Sequence, residues 1–441
     1  MTVHAEQRRE HAYPPGFSEA RLDLLQRHAF EYFLRETNPS NGLVADKSLP
    51  GASASIAAVG FALAAYPVGV ARAWMTRTDA IARTLAVLRF FSSSAQGTTT
   101  DATGHNGFYY HFLDRITGRR AGRSELSTVD TGFLLAGMLA AAMFFDRDSE
   151  EEQEIRALAD ALYRRTDWPW ACHGGATLTH GWSPESGFLP YRWEGYDEAV
   201  LLYVLGLGSP THPLPPESYA AWVSTYQWKT IYGYEFTYGG PLFIHQYSHA
   251  WVDFRGIRDA FMREKGIDYC ENNRRAIYVQ REYAIRNPLE FAGYGEHFWG
   301  LTASDGPGQA TRRIHGDERV FFDYIARGAP FGPDDGTVAP WAVVASLPFA
   351  PEIVLPTIGH VQDVYPRVTG EYCFRCSFNL SVPDQGDADA GWTSSYHFGI
   401  NLGPVVLMCE NHRSGLPWRL MRACHYVVSG LRRAGFTEGW L

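Results

Sequence analysis

The chain has 441 residues, with 39 Lys and Arg against 48 Asp and Glu, so its formal charge is 39 − 48 = −9. With 45% hydrophobic and 20% charged residues the composition is that of an ordinary globular protein, which excludes disorder, collagen and coiled coil. A mildly acidic chain without a long Lys/Arg run lacks the electrostatic footprint of nucleic-acid binding, whereas a neutral polyhydroxyl substrate is compatible with it.

Residues 1–17 are polar and contain no apolar stretch of the kind a secretory leader needs, so the chain is expected to be cytoplasmic, or periplasmic or secreted if a leader is missing. The remainder, 18–441, contains no Pro/Ser/Gly-rich linker and is expected to form a single domain. The first helix is predicted over Phe17–Arg35, with Ser18 as N-cap and Leu22, Leu25, Ala29, Tyr32 and Phe33 on one face. Ala54–Ala65 is small and apolar all round, and Thr78–Phe91 is amphipathic. Thr128–Phe145 again reads as a buried helix, and Ser149–Glu152 has the spacing of a capping box that opens an amphipathic helix to Arg165. Further helices are predicted at Tyr196–Gly206, Glu217–Thr225, Tyr247–Glu264, Cys270–Arg286, Pro340–Leu347, Pro351–Tyr365, Pro404–Glu410 and Trp418–Gly435. Between them, His105–Arg120, Trp168–Trp193 and Tyr365–Tyr396 read as short strands or hairpins. About twelve helices, alternating buried and amphipathic, predict an all-α fold of the (α/α)6-barrel class with hairpins and long loops over one end. The apolar runs are broken by Ser, Pro or nearby charges and read as buried helices, so no membrane partner is expected.

Candidate chemistry rests on carboxylates where polar or aromatic loops meet apolar helices, because glycosidic bond cleavage requires an acid paired with a base or nucleophile. Glu125 and Asp130 lie in SELSTVDTG, at the entrance to a buried helix, where helix capping is an equal contender. Glu198 follows WEGYD and precedes AVLLYVL; partial desolvation there would raise its pKa toward that of a general acid, the alternative being a first-turn Glu held by the helix dipole. His245 and His249 stand four apart but lack the following Glu of a zinc-protease helix, and a polar network or sugar binding fits them better. The segment YGEHFWGLTASDGP offers Glu296 and Asp305 for hydroxyls and Trp299 for stacking, while Glu410 and Arg413 could equally form an internal ion pair. The Cys373–Cys376 pair has no second CxxC and reads as inert thiols, so neither metal nor cofactor is expected.

Seven blocks resemble, in order, a known family: GFYYHFLD (107–114), SELSTVDTGFLLAG (124–137), YDEAVLLYVLGLGSPTHPLP (196–215), GGPLFIHQYSHAWVDFRGIRD (239–259), NPLEFAGYGEHFWGLTASDGP (287–307), DGTVAPWAVVASLPFAPE (335–352) and LGPVVLMCENHRSGLPWRLM (402–421). They are similar to the "putative glucoamylase" family, whose characterised members form glycoside hydrolase family 144, a family related to the transglycosylase domain of cyclic β-1,2-glucan synthases. The resemblance implies an (α/α)6 barrel and an inverting, metal-independent hydrolase of β-1,2-glucan or sophoro-oligosaccharides. It implies Glu198 as general acid and Asp130 as base or water-positioning residue, with a proton path through a substrate hydroxyl or a water in some relatives; Glu125 is the alternative base that the sequence itself offers. His111, Tyr196, His245, Gln246, Glu296, Trp299, Asp305 and Trp392 are the expected substrate-binding residues. The rival readings are a transglycosylase or exo-glycosidase on another glucoside, a non-catalytic carbohydrate-binding barrel, and a lyase using Tyr and His. Oligomeric state is not legible in the sequence.

Overall fold

The computed structural model describes Tyr13, residues 17–384 and residues 387–441; the expected tail 1–17 lies almost wholly outside the described residues. In chain order the first helices are α1 (Glu19–Arg35), α2 (Ile56–Ala71), α3 (Arg77–Ser93), α4 (Thr128–Phe144), α5 (Glu150–Arg165) and α6 (Trp168–Ala171). They are followed by α7 (Val200–Gly208), α8 (Ser218–Val223), α9 (Tyr247–Trp251), α10 (Ala260–Lys265) and α11 (Tyr269–Arg286). The last are α12 (Pro340–Ala345), α13 (Pro351–Val364), α14 (Gly399–Arg413), α15 (Leu416–Ala423) and α16 (His425–Arg433). None is long and apolar enough to cross a membrane.

Burial alternates along this series. Every residue of α7, α9 and α12 is buried, as is nearly all of α2, α4 and α14. By contrast α1, α5 and α11 bury one stripe and expose the other, which is why their sequences carry the 3.6-residue apolar period. The buried helices contact one another: α2 lies against α4 and α14, α7 against α4 and α9, and α14 against α9 and α12. Glycine permits the closest of these contacts. A Cβ on Gly60 would fall 2.3 Å from Phe133 O, and one on Gly137 would fall 2.1 Å from Gly60 O, so the backbones of α2 and α4 touch. α1 covers α14, α13 covers α12, α16 covers α7, and α3 and α5 pair on the outside.

The predicted starts hold where the capping chemistry is local. Ser18 caps α1 and Ser149 caps α5, each side-chain oxygen accepting a backbone N–H three residues on. Two expected helices are corrected. Tyr247–Glu264 is broken between α9 and α10, because Asp253 turns inward to bind Arg255, Gly256 takes a left-handed conformation and Asp259 caps a new helix. Trp418–Gly435 is likewise two helices, divided where Cys424 adopts an extended backbone.

Strands are short. Numbered in chain order, β1 (Ala54–Ser55) pairs with β4 (Phe112–Leu113). A five-stranded antiparallel sheet runs β2 (Gly104–His105), β3 (Phe108–Tyr110), β5 (Leu126–Ser127), β6 (Gly181–Ser183) and β7 (Gly187–Phe188). β1 and β5 each end in a serine that caps a buried helix, Ser55 for α2 and Ser127 for α4. The sheets therefore feed the chain into the buried helices at their N-terminal ends.

Candidate active site

A cavity of about 470 Å³ opens where these N-terminal ends gather. Ser55 and Ser127 cap the helices behind it, Asp130 occupies the first turn of α4, Glu198 stands two residues before α7, Tyr247 starts α9, and Phe398 caps α14. Helix N-termini carry partial positive charge from their unpaired N–H groups, so their convergence offsets part of the cost of holding several carboxylates in one cavity. Asp46, Glu125, Asp130, Glu198 and Asp305 all line it, together with the cationic groups Lys47 and His111. Aromatic walls come from Phe112, Trp193, Phe243, Tyr247, Tyr324 and Phe398, and His180 stacks on Trp193 with ring centroids 4.0 Å apart.

The acidic groups differ in their surroundings. Asp130 accepts the Ser127 hydroxyl at 2.5 Å, while its own N–H donates back to Ser127 Oγ at 3.3 Å, so the residue both completes a helix start and reaches the cavity. His111 stands between two carboxylates, with Nδ1 2.9 Å from Glu125 Oε1 and Nε2 3.7 Å from Asp130 Oδ2, its ring stacked on Phe112 at 3.9 Å. Burial alone would depress its pKa; the charges of Asp130, Glu125 and Asp46 override this and hold the imidazole at about 9, so it is a cation at neutral pH. Burial pushes Glu125 up, but the hydrogen bond and charge of His111, with Arg120, bring its carboxyl below the ordinary range.

Among the described residues no cation pairs with Glu198. Burial, reinforced by the charge of Asp130, pushes its carboxyl up to about 7. Its neighbour Asp197, fully enclosed and accepting Ala199 N–H at 2.9 Å, is raised well above the usual carboxylate range by burial and by the charge of Glu198. α7 begins at Val200 with Ala199 as its N-cap, so Glu198 stands just ahead of the first turn rather than within it. One cavity thus holds Glu125, lowered by the His111 cation, and Glu198, raised toward neutrality, the division of labour that acid–base chemistry requires.

Of the residues expected from sequence, the cavity brings together Glu198, Asp130, Glu125, His111 and Asp305. Asp305 is held by Ser394, whose hydroxyl donates to Oδ2 at 2.8 Å, and by its own N–H, which donates to Cys376 Sγ at 3.4 Å. Six others lie elsewhere and are corrected. Tyr196 is buried and donates to Asn273 Oδ1 at 2.9 Å. The ring nitrogens of His245 face the same Asn273 oxygen and Gly239 O at 2.9 and 3.0 Å. Gln246 spends its amide on Ala342 O and Ser346 Oγ, and Trp299 donates from the core to Thr357 Oγ1 at 3.2 Å. Glu296 is an exposed partner of Arg281, and Trp392 packs with the Phe291, Phe321 and Val382 cluster. Aromatic and polar residues beside glycines satisfy a core network as readily as a cleft, and sequence spacing does not separate the two.

The alternatives left open elsewhere resolve as structure. Glu410 binds Arg72 at 2.8 Å, and Arg413 binds Asp23 at 2.8 Å. Cys373 and Cys376 are buried free thiols pushed up to about 12 by burial. Sequence reasoning missed Asp46, Lys47, Tyr324 and Phe398, which come from separate loops that carry no periodicity. The one local signal was the acidic and basic pair Asp46–Lys47 within an otherwise small-residue stretch.

The comparisons with known proteins agree with this architecture. The family model Glycoamylase, described as "Putative glucoamylase", matches residues 190–425. An exo β-1,2-glucooligosaccharide sophorohydrolase (non-reducing end) of Parabacteroides distasonis is 28% identical over 455 residues, covering 95% of this chain; the chain spans only 58% of that relative's length. Among solved structures, a "putative glucoamylase" from Bacteroides uniformis superposes with a TM-score of 0.83 at 31% identity, covering 95% of this chain and 98% of that one. An endo-β-1,2-glucanase from Chitinophaga pinensis, solved with sophorotriose and glucose, gives a TM-score of 0.82 at 26% identity, covering 96% and 99%. With the family model matching more than half of the sequence and a 31% identical relative matched along nearly its whole length, the chain belongs to the Glycoamylase family.

Proposed function

We propose that the chain is a glycoside hydrolase that cleaves β-1,2-glucan or sophoro-oligosaccharides, and that residues 18–441 form one catalytic unit whose six buried helices close into an (α/α)6 barrel. The cavity at their N-terminal ends is the catalytic centre. Glu198, protonated near neutrality, donates its proton to the glycosidic oxygen as the bond to the leaving sugar breaks. Asp130, 3.7 Å from His111 Nε2, takes a proton from the water that attacks the anomeric carbon from the opposite face, giving inversion. Glu125 shares the His111 cation and is the second candidate for that base. Asp305 and the aromatic walls hold the glucosyl units.

The observation that carries this reading is the contrast between Glu198, pushed up to about 7 with no cation beside it, and Glu125 and Asp130, which flank a charged histidine in the same cavity. The names of the sophorohydrolase and of the Chitinophaga endo-β-1,2-glucanase support the linkage. The test is product analysis by chromatography on linear β-1,2-glucan, β-1,3-glucan and α-1,4-glucan side by side. Release of sophoro-oligosaccharides or glucose from the first substrate alone is expected. Faster cleavage of either other glucan, or no cleavage of the first, refutes the assignment.

A further inference from the structure

Four of the five cavity carboxylates have roles in the reading above; Asp46 has none. Among the described residues Glu125 is hydrogen-bonded to His111, Asp130 to Ser127 and Asp305 to Ser394, but no side chain or backbone donor meets the carboxylate of Asp46. Its backbone is nevertheless fixed at both ends. Asp46 N–H donates to Ser53 O at 2.8 Å, and Gly399 N–H, at the first residue of α14, donates to Asp46 O at 2.8 Å. The next residues continue the seam: Lys47 bridges Phe398 in antiparallel fashion, and Ser48 N–H donates to His397 O at 2.9 Å. An acceptor held rigidly in a cavity without a protein donor takes its hydrogen bonds from water or from a ligand.

Lys47 complements it. Among the described residues no carboxylate lies within ion-pair distance of its ammonium, which rests 5.4 Å from the ring centroids of both Tyr396 and Phe398. Phe398 also lines the cavity and lies 6.1 Å, centroid to centroid, from Tyr324, whose side of the cavity is open to solvent with the residue 53% exposed. One strip of wall therefore presents an anionic acceptor, a cationic donor and aromatic faces, with no net charge. That combination suits a neutral ring carrying adjacent hydroxyl groups.

We propose that Asp46 and Lys47, with Phe398 and Tyr324, form a glucosyl subsite of this cavity, Asp46 accepting from and Lys47 donating to hydroxyls of one pyranose ring. The proposal deepens the reading of the cavity as a β-1,2-glucan site and rests on it. Burial pushes Asp46 up to about 6, with His111 and Lys47 pulling it down and Asp130 and Asp305 pushing it up, so the acceptor is ionised at neutral pH. The two residues act on affinity more than on bond cleavage.

The experiment uses calorimetric titration of the whole chain carrying Glu198→Gln with sophorotriose, so that binding is read without turnover. Asp46→Asn and Lys47→Met are then added singly, and each is checked for an unchanged melting temperature. A hydrogen bond to a charged group is worth about 1.5–3 kcal/mol, so each substitution is expected to weaken sophorotriose binding ~10- to 100-fold. In the chain with Glu198 intact, the same substitutions raise KM by a similar factor while changing kcat less than threefold. Binding by the Glu198→Gln chain that neither substitution alters overturns the subsite and leaves the proposed function standing. No binding of sophorotriose by the Glu198→Gln chain overturns both. If Asp46→Asn instead lowers kcat severely with KM unchanged, the residue belongs to the chemistry and the subsite assignment is refuted.

Discussion

Replacing Glu198 by Gln tests the central assignment through stability as well as activity. The carboxyl is raised from its ordinary 4.5 to about 7 in the folded chain. At about 1.4 kcal/mol for each tenfold change in proton affinity, this corresponds to roughly 3 kcal/mol by which folding disfavours the ionised form. The sign follows from proton binding: between pH 4.5 and 7 the folded chain binds more protons at this position than the unfolded one, so stability falls as pH rises through that window and the penalty is complete above it. Glutamine keeps the shape and never ionises. Glu198→Gln is therefore expected to melt close to the wild type at pH 4 and above it at pH 8. With an unfolding entropy of about 2.1 cal/mol/K per residue over 441 residues, 3 kcal/mol is worth roughly 3 °C. Relief of the repulsion on Asp197 adds to the gain in the same direction. Turnover of β-1,2-glucan should fall ~10²- to 10⁴-fold, because the proton for the leaving oxygen is lost. Differential scanning calorimetry at the two pH values, with an assay of new reducing ends, reads both effects. A variant that melts lower than wild type at pH 8, or that keeps full activity, refutes the assignment of Glu198 as a strained acid.

His111 makes the opposite pH prediction. Its folded pKa of about 9 lies above the unfolded value, so its contribution is complete below about pH 6.5 and is lost as pH rises through 9; His111→Gln should cost roughly 2 kcal/mol in urea unfolding at pH 6, allowing for the solvent-facing side of the ring, and nearly nothing at pH 10. Arg327 and Asp335 form a fully buried pair at 2.7 Å that fastens the loop bearing Asp305 and Tyr324, and Arg327 also donates to Ser304 O at 2.8 Å. Arg327→Met strands the carboxylate and should destabilise by about 3–5 kcal/mol, whereas Arg327→Met with Asp335→Leu should recover much of that loss in the same denaturation assay. Gly137→Ala should cost about 3 kcal/mol or more, since the added methyl meets a backbone carbonyl that has no rotamer by which to retreat; a soluble variant with an unchanged melting temperature would show that the α2–α4 contact is looser than described.

What the sequence determined was local. Capping serines 18 and 149 act within one turn, and the apolar stripe of α1 or α5 records a single buried face, so both were readable without knowledge of the rest of the chain. The alternation of fully apolar and amphipathic segments likewise recorded which helices are enclosed. Glu198 and Asp130 were legible because each stands where a polar loop meets an apolar run. Tertiary structure alone decided what those residues face. Tyr196, His245 and Trp299 look from sequence like cleft residues, but their polar atoms meet Asn273 and Thr357, distant along the chain, and for His245 also Gly239 O, and the network closes inside the core. Asp46 and Lys47 show the converse: their own loop offers only the charged pair itself, and they reach the cavity because that loop is stitched to residues 397–399 across some 350 positions of chain. Periodicity and capping are short-range consequences of backbone geometry, whereas hydrogen-bond satisfaction and the proton affinity of a carboxyl depend on neighbours that only the closed fold supplies.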